Sequence, residues 1–247
     1  MLSTWHAHRD LFPHQPERSR FNRRRRQLAG AINQGRRLLL APLDLAHDRQ
    51  CVLDRLPVPV IRFHLVPGSH ARATWAAYGA RFGWVPSKKQ TIFGYKLYLL
   101  ATLNGVILDV VLAPADVAEV TVGVELLEAH TDLEVLGDKA FISAPVAADL
   151  RAANRIRLLT LPRRNALRQV PRAVRRTLNR ARQIIETVNS QLAEQFHLEV
   201  NHAQSFHGLC ARLFTKLTAH TLCLCINRLL EQPDILHIKA LAFPHPN

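Results

Sequence analysis

The chain has 247 residues, of which 48% are hydrophobic, and this suits one large domain, or one domain with a small appendage, around a sizeable core. Its 33 Lys and Arg residues against 19 Asp and Glu residues give a formal net charge of +14, which favours nucleic acid as a partner over a merely solubilised surface or an interaction tail. The four cysteines form no CxxC pair, which argues against a zinc site and favours buried thiols in a reducing cytoplasm.

The N-terminus and the apolar runs predict the compartment. The N-terminus is polar and is not followed by the apolar core of a signal peptide. The longest apolar runs look too short to span a bilayer. We therefore expect a cytoplasmic protein without a membrane partner.

The first predicted element is a basic helical segment over residues 1–48. Its densest run, Arg18–Arg26, is suited to holding DNA phosphates. The alternative is a solvated helix face whose Phe21 and Leu28 turn toward the core. The two interpretations are compatible, and the residues alone do not separate them.

A short buried strand is predicted next, over Cys51–Asp54. It should end at the Asp54 carboxylate, because Pro57 and Pro59 interrupt regular strand pairing. Residues 64–90 are rich in Gly and Pro and are predicted to form a loop.

A hairpin and a helix follow the loop. Two apolar runs, 95–103 and 106–112, are joined by Asn104-Gly105, and Asn-Gly between such runs is the strongest short-range hairpin signal. Asp116 can cap a helix that continues to about residue 129.

The remaining predicted elements alternate between strands and helices. Glu134–Asp138 is a second short strand that ends at a carboxylate, and Ser143 can cap a helix that runs through Ala153. A strand over 155–161 precedes a long helix. A hairpin followed by β-α-β units predicts an α/β fold with a mixed sheet and helices on its faces.

The long helix carries two stripes of residues at helical spacing. The apolar stripe is Val174, Leu178, Ala181, Ile185, Val188 and Leu192, and the adjacent stripe is Asn179, Arg182, Glu186, Asn189 and Ala193. The bland interpretation of Arg182 and Glu186 is a surface ion pair worth only about 0.2–0.5 kcal/mol. The functional interpretation is that Glu186 borders the buried stripe as part of a site.

Three acids in distinctive contexts suggest a metal site in an otherwise basic chain. Asp54 and Asp138 end predicted strands, and Glu186 lies on the long helix. Carboxylate oxygens are the ligands that hard cations such as magnesium prefer. Two such ions can promote phosphoryl transfer on DNA.

The chain resembles the DDE transposases of bacterial insertion sequences, particularly the insertion-sequence 982 family. The resemblance covers about residues 10–230 and is carried by the order and spacing of its motifs. These are Arg18–Arg24, Leu53–Val60, Phe93–Leu97, Leu112–Asp116, Leu136–Ser143, Arg163–Asn165, Ile184–Leu192 and Leu217–Leu222.

The resemblance implies a ribonuclease H-like fold in which Asp54, Asp138 and Glu186 are the catalytic residues and hold two Mg2+ or Mn2+ ions. It implies metal-dependent cleavage and strand transfer of double-stranded DNA, with the element ends and the target as partners. A homodimer and a bacterial, nucleoid-associated location are compatible with it. Phosphate contacts are expected from Arg23, Arg24, Arg25, Lys88, Lys89, Lys139, Arg163, Arg164 and Arg182.

Two departures from the family pattern qualify these expectations. Arg55 follows the first acid where a small polar residue is usual, although alternation along a strand can turn it away. The first acid also comes early, so the chain looks N-terminally shortened. We expect a basic segment at 1–48, a catalytic domain at 49–231 and a tail at 232–247. The alternatives are a related metal-dependent nuclease and a non-catalytic DNA-binding remnant.

Overall fold

The computed structural model describes residues 10, 14, 16–45, 47–137, 143–159 and 172–242. In this part of the chain six strands form one mixed sheet in which β2 and β4 both pair with β3, followed by β1, β5 and β6. The β1–β3, β2–β3 and β3–β4 pairs are antiparallel, and the β1–β5 and β5–β6 pairs are parallel. The strands are β1 Gln50–Ile61, β2 Arg81–Val85, β3 Gln90–Thr102, β4 Ile107–Pro114, β5 Glu134–Gly137 and β6 Arg157–Leu159.

The helices follow the predicted order, with additions. They are α1 Arg18–Gln27, α2 Ala29–Leu38, α3 Ala71–Ala77, α4 Glu119–Glu128, α5 Ala144–Asn154, α6 Arg172–Ser190, α7 Phe206–Leu229 and α8 Lys239–Ala242. A π-helical turn, Gln191–Gln195, extends α6. The Ser143 cap of α5 is confirmed, since its Oγ accepts a hydrogen bond from the Val146 N–H. The cap expected at Asp116 is wrong, because α4 begins only at Glu119 and its N-cap is Ala118.

The Asn104-Gly105 hairpin is confirmed. The Gly105 N–H donates to the Thr102 carbonyl at 2.9 Å, and Gly105 has a φ of +77°. This φ strains residues other than glycine, and a Cβ atom here would lie 2.3 Å from Leu236 Cδ2 and displace that side chain. The tight contact also fixes the hairpin against the segment that follows α7.

The first strand is much longer than predicted. Strand β1 continues through Pro57 and Pro59, which pair with Lys96 and Gly94 of β3. The described part of β5 ends at Gly137, opposite Leu53. After Leu53, β3 is the strand that pairs with β1 among the described residues. Proline is tolerated where a strand has one free side. Asp54 therefore lies within the strand and not at its end.

The loop predicted at 64–90 is wrong in part, because the segment contains regular structure. It holds the short helix α3 and the strand β2. Seven residues give no helical periodicity to read, and α3 is anchored instead by the buried ring of Trp75. Tertiary contacts, and not local pattern, define this segment.

The sheet carries helices on both faces. On one face, β1 and β3 pack against α6 and α7, and the predicted apolar stripe of α6 is buried there from Leu178 to Leu192. Val174 is the first residue of that stripe, and its side chain is not among those that the structure describes. On the other face, Leu53 and Tyr98 pack against α4 and α5. This mixed sheet flanked by helices is a ribonuclease H-like fold, which confirms the predicted fold class.

Helix α7 corrects the estimate made from apolar run lengths. Within the described ranges it is the one helix, Phe206–Leu229, that is long and apolar enough to cross a membrane by length and composition. Core helices pass the same test, and Leu209, Leu213, Leu217 and Leu224 of α7 pack into the main core beside α6. The packing therefore accounts for its apolar character.

Candidate active site

Asp54 lies on the sheet face that packs against α6. It shares this face with Val52 and Leu56, because side chains two apart on a strand point the same way. The Asn189 Nδ2 atom on α6 donates a hydrogen bond to Asp54 Oδ2 at 2.7 Å. The buried apolar stripe of α6 therefore fixes not only the helix but also a polar contact with the first acid.

The Asn189 amide is oriented by this contact. Its nitrogen must face the carboxylate, since two oxygens there would repel each other, and its Oδ1 then points elsewhere. That Oδ1 is buried and has no hydrogen-bond partner among the described residues. A buried amide oxygen beside a carboxylate is an oxygen donor set of the kind that Mg2+ accepts.

Glu186 lies one helical turn before Asn189. Its side chain is 60% exposed, and its Oε1 receives a hydrogen bond from Arg182 Nε at 2.9 Å. This is the i, i+4 pair that the sequence analysis named as the bland interpretation, and such a pair adds little stability at the surface. Glu186 also lines a cleft of about 990 Å³ between α6 and residues 232–239. Its carboxylate is accessible, which a metal ligand requires.

Asp138 and Lys139 lie outside the described residues. The residue before Asp138, Gly137, is paired with Leu53, which is the residue before Asp54. Across the described ranges, no group of three His, Cys, Asp or Glu side chains is close enough to hold a metal ion. The convergence of the three predicted carboxylates therefore stays a prediction.

Arg55, the residue that departs from the family pattern, turns to the opposite face of the sheet. Its Nε lies 2.7 Å from Glu119 Oε1, and Lys96 Nζ lies 3.5 Å from the same oxygen. Burial, reinforced by the charge of Glu119, raises the pKa of the neighbouring Tyr98 to about 12. The cation beside the first acid is thus paired with a carboxylate of α4, a partner that no sequence pattern indicated.

The other predicted phosphate contacts are dispersed. Arg23 and Arg24 are exposed on α1, and Lys89 is exposed after β2. Lys88 forms an ion pair with Glu199 in the segment between α6 and α7. Arg163 and Arg164 lie outside the described residues.

Arg25 belongs to a group of cations that we call the α1–α7 basic cluster, which consists of Arg25, Arg26, Arg212 and Lys216. Burial and the charges of Arg212 and Arg26 lower the pKa of Arg25, and burial with the charges of Arg212 and Arg25 lowers the pKa of Lys216 to about 8. In the part of the chain that is described, none of the four forms an ion pair. The four cations therefore repel one another, and no carboxylate among the described residues neutralises them.

The main site residue that sequence reasoning left unassigned is Asn189. Its signal was present, since it lies on the same α6 stripe as Arg182 and Glu186 at i+3 from the acid. What the sequence did not contain was the partner, because Asp54 is 135 positions away.

The fold, with a carboxylate on the central strand β1 and a glutamate on the helix that packs over it, defines the chain as a ribonuclease H-like domain. A family model described as "Transposase DDE domain" matches residues 63–222, more than half of the chain, and the chain belongs to this family. Membership implies DNA as the substrate. The match includes α6 with Glu186 and begins after Asp54. No curated protein and no solved structure matches the chain.

Proposed function

We propose that this chain is a transposase that cleaves DNA strands at the ends of an insertion sequence and joins them to target DNA. The proposed catalytic residues are Asp54, Asp138 and Glu186. The observation that carries the proposal is the 2.7 Å hydrogen bond from Asn189 to Asp54, one turn from Glu186, in a member of the transposase family. The motifs described above favour the insertion-sequence 982 branch of that family.

The residues around Asp54 fit divalent cations. The Asp54 carboxylate, the buried Asn189 Oδ1 and the accessible Glu186 carboxylate are all hard oxygen donors. When bound, a pair of divalent ions would activate water and stabilise the leaving 3′ oxygen of the scissile phosphate. Asn189 would orient the Asp54 carboxylate through its 2.7 Å hydrogen bond.

Arg182 has a complementary role in this proposal. Its Nε forms the 2.9 Å ion pair with Glu186. A cation bound to Glu186 would displace the guanidinium, because two positive charges compete for one carboxylate. The freed guanidinium would then be available to a phosphate oxygen of DNA, which it matches in geometry.

The direct test is cleavage of duplex DNA that carries the terminal repeats of the element. We expect strand cleavage with Mg2+ or Mn2+ and none with excess EDTA, and we expect cleaved ends to join a supercoiled target plasmid. Cleavage without joining would favour a related metal-dependent nuclease. Tight DNA binding without cleavage under any metal condition would contradict the proposal and support a non-catalytic DNA-binding protein.

The α1–α7 basic cluster is proposed to contact DNA phosphates. Replacing Arg212 by Gln should reduce the slope of log affinity against log salt by roughly 0.9, the value for one lost phosphate contact on duplex DNA. The same change should leave the free energy of unfolding unchanged or slightly higher, because it removes repulsion with Arg25 and Lys216. Both quantities are measured on the full chain, by salt-dependent anisotropy and by urea unfolding.

The matched control is Arg155→Gln. Arg155 is exposed, lies away from the cluster and is paired with Asp132 at 2.6 Å. Its replacement removes the same formal charge as Arg212→Gln does. If Arg155→Gln and Arg212→Gln reduce the salt slope equally, the effect is one of net charge and the cluster is not a phosphate contact.

A further inference from the structure

On the short strand β2, the large aromatic residues are exposed and the smaller residues are buried. Phe82 and Trp84 are 42% and 54% exposed, while Gly83 and Val85 between and after them are buried. A Cβ atom on Gly83 would lie 2.1 Å from the Ala115 carbonyl oxygen, so the backbone of β2 is pressed against the chain that follows β4. Val85 packs there in a small core of its own. The fold therefore holds two large aromatic rings toward solvent on a fixed backbone.

A third ring extends this surface. Phe63, 54% exposed, lies edge-on to Phe82 with ring centroids 6.1 Å apart. The Arg72 guanidinium carbon lies 5.6 Å from the centroid of the Phe82 ring, within cation–π distance. We call Phe63, Phe82 and Trp84 the β2 aromatic surface. Exposed hydrophobic residues that adjoin one another mark interaction sites, whereas singly scattered ones do not.

The charge around this surface selects the kind of partner. Residues 55–108 contain neither Asp nor Glu but include Arg62, Arg72, Arg81 and Lys89, and Glu199, which reaches the turn after β2 from another segment, is paired with Lys88. Rings flanked by cations with no acid in the same segment are complementary to a polyanion that also has flat apolar faces. Unpaired nucleic acid has both properties, since its phosphates are charged and its bases have exposed π-faces.

The surface shares a sheet face with the candidate active site. Phe82 is paired with Phe93 on β3, and Asp54 is paired with Leu99 on the same strand. Phe93 and Leu99 are six residues apart and both belong to the core under α6 and α7, so all four side chains point to one face. The separation along β3 is roughly 20 Å at about 3.3 Å per residue.

We propose that the β2 aromatic surface binds unpaired DNA by stacking bases on Trp84 and Phe82, beside the site where strands are cut. This inference rests on the proposed function for its substrate, and it adds a strand-state preference that the metal site does not require. Bases in an intact duplex are stacked on one another and cannot lie on these rings, so the surface is specific for single-stranded segments.

The test uses the full chain in EDTA, so that cleavage plays no part. Labelled single-stranded and duplex oligonucleotides of the same sequence are compared by anisotropy. Trp84→Ala should weaken single-strand binding about tenfold, as expected for the loss of one stacked base, and should change duplex binding less than twofold. Trp84→Phe should retain most of the single-strand affinity because it keeps a stacking ring.

Leu229→Ala is the matched control, since Leu229 is 74% exposed at the end of α7 and should affect neither form of DNA. Tryptophan emission gives a second readout. Because the chain also contains Trp5, the emission is measured in a Trp5→Phe background. Single-stranded DNA should quench the emission of Trp5→Phe, and the quenching should be lost in the Trp5→Phe, Trp84→Phe double variant, because the remaining Trp75 is buried.

Three results would overturn the inference. Equal losses for single strand and duplex would mean that the surface contacts phosphates only. Unchanged affinity in Trp84→Ala would exclude stacking there. A change of oligomeric state in Trp84→Ala with unaltered DNA affinity would assign the surface to a protein interface. Failure of metal-dependent cleavage would contradict the proposed function but leave these metal-free binding results unaffected.

Discussion

Asp54→Asn is expected to reduce metal-dependent strand cleavage by about a thousandfold or more while leaving the fold intact. Lewis-acid stabilisation by a bound ion contributes several kcal/mol, and each 1.36 kcal/mol corresponds to about a factor of ten in rate. The asparagine keeps the shape of the side chain and an oxygen that can accept the Asn189 hydrogen bond. It loses the negative charge that a divalent cation needs.

The measurement is the initial rate of cleavage on terminal-repeat DNA across a Mg2+ titration. Asp116→Asn is the control, because Asp116 is an exposed acid in the turn before α4 and makes the same chemical change away from the candidate site. Circular dichroism and thermal unfolding establish that both variants fold. Wild-type cleavage by Asp54→Asn at every metal concentration would show that this carboxylate is not a metal ligand.

Local signals in the sequence predicted the elements that local physics determines. The Asn104-Gly105 hairpin and the Ser143 cap were correct because a positive φ and an N-terminal hydroxyl act within a few residues. The apolar stripe of α6 was correct from Leu178 onward because a 3.6-residue period is read directly from the chain.

The errors occurred where distant parts of the chain decide the outcome. Pro57 and Pro59 were taken to end β1, but their compatibility with the strand depends on which neighbour pairs there. Strand β2 was not predicted because its buried face carries Gly83, which gives no apolar signal. Only glycine fits there, because the Ala115 carbonyl oxygen lies where a Cβ atom would be. Neither fact is visible from the nearby sequence.

The same distinction applies to the candidate site. The sequence predicted that Glu186 and Asn189 share a face of α6, and alternation allowed Arg55 to point away from Asp54. It did not predict that Asn189 binds Asp54 or that Arg55 binds Glu119, because these contacts depend on how α6 and α4 pack on opposite faces of the sheet.

The core beneath α6 contains a polar network that makes stability depend on pH. His220 of α7 is fully buried, and its Nε2 lies 2.9 Å from the side-chain oxygen of Gln191 in the π-helical turn. The Gln191 amide nitrogen donates in turn to the Leu236 carbonyl at 2.6 Å. One neutral imidazole thus links α7, the end of α6 and the segment that contacts the hairpin turn.

We expect acid to destabilise the fold through His220. Burial lowers the pKa of His220 from 6.5 to about 4, so the unfolded chain binds a proton more readily than the folded chain. The stability contributed by the neutral ring is complete above pH 6.5 and is lost as the pH falls toward 4. The loss should be roughly 3 kcal/mol, since one pKa unit corresponds to about 1.36 kcal/mol.

Urea unfolding between pH 7 and pH 4 on wild type, His220→Leu and His202→Leu separates this contribution from others. His220→Leu should be less stable at pH 7, because Gln191 loses a partner, but should lose the steep decline below pH 6.5. His202→Leu, which changes an exposed ring, should keep the wild-type profile.

The titration of Asp109 does not overlap the pH range of this comparison. Burial alone would raise the pKa of Asp109, but its contacts with His130, the Val110 N–H and Arg37 outweigh burial and lower the pKa below 3.8, so its contribution is lost only at more acid pH. Equal slopes for wild type and His220→Leu between pH 6.5 and 4 would show that the imidazole is not held neutral by the core.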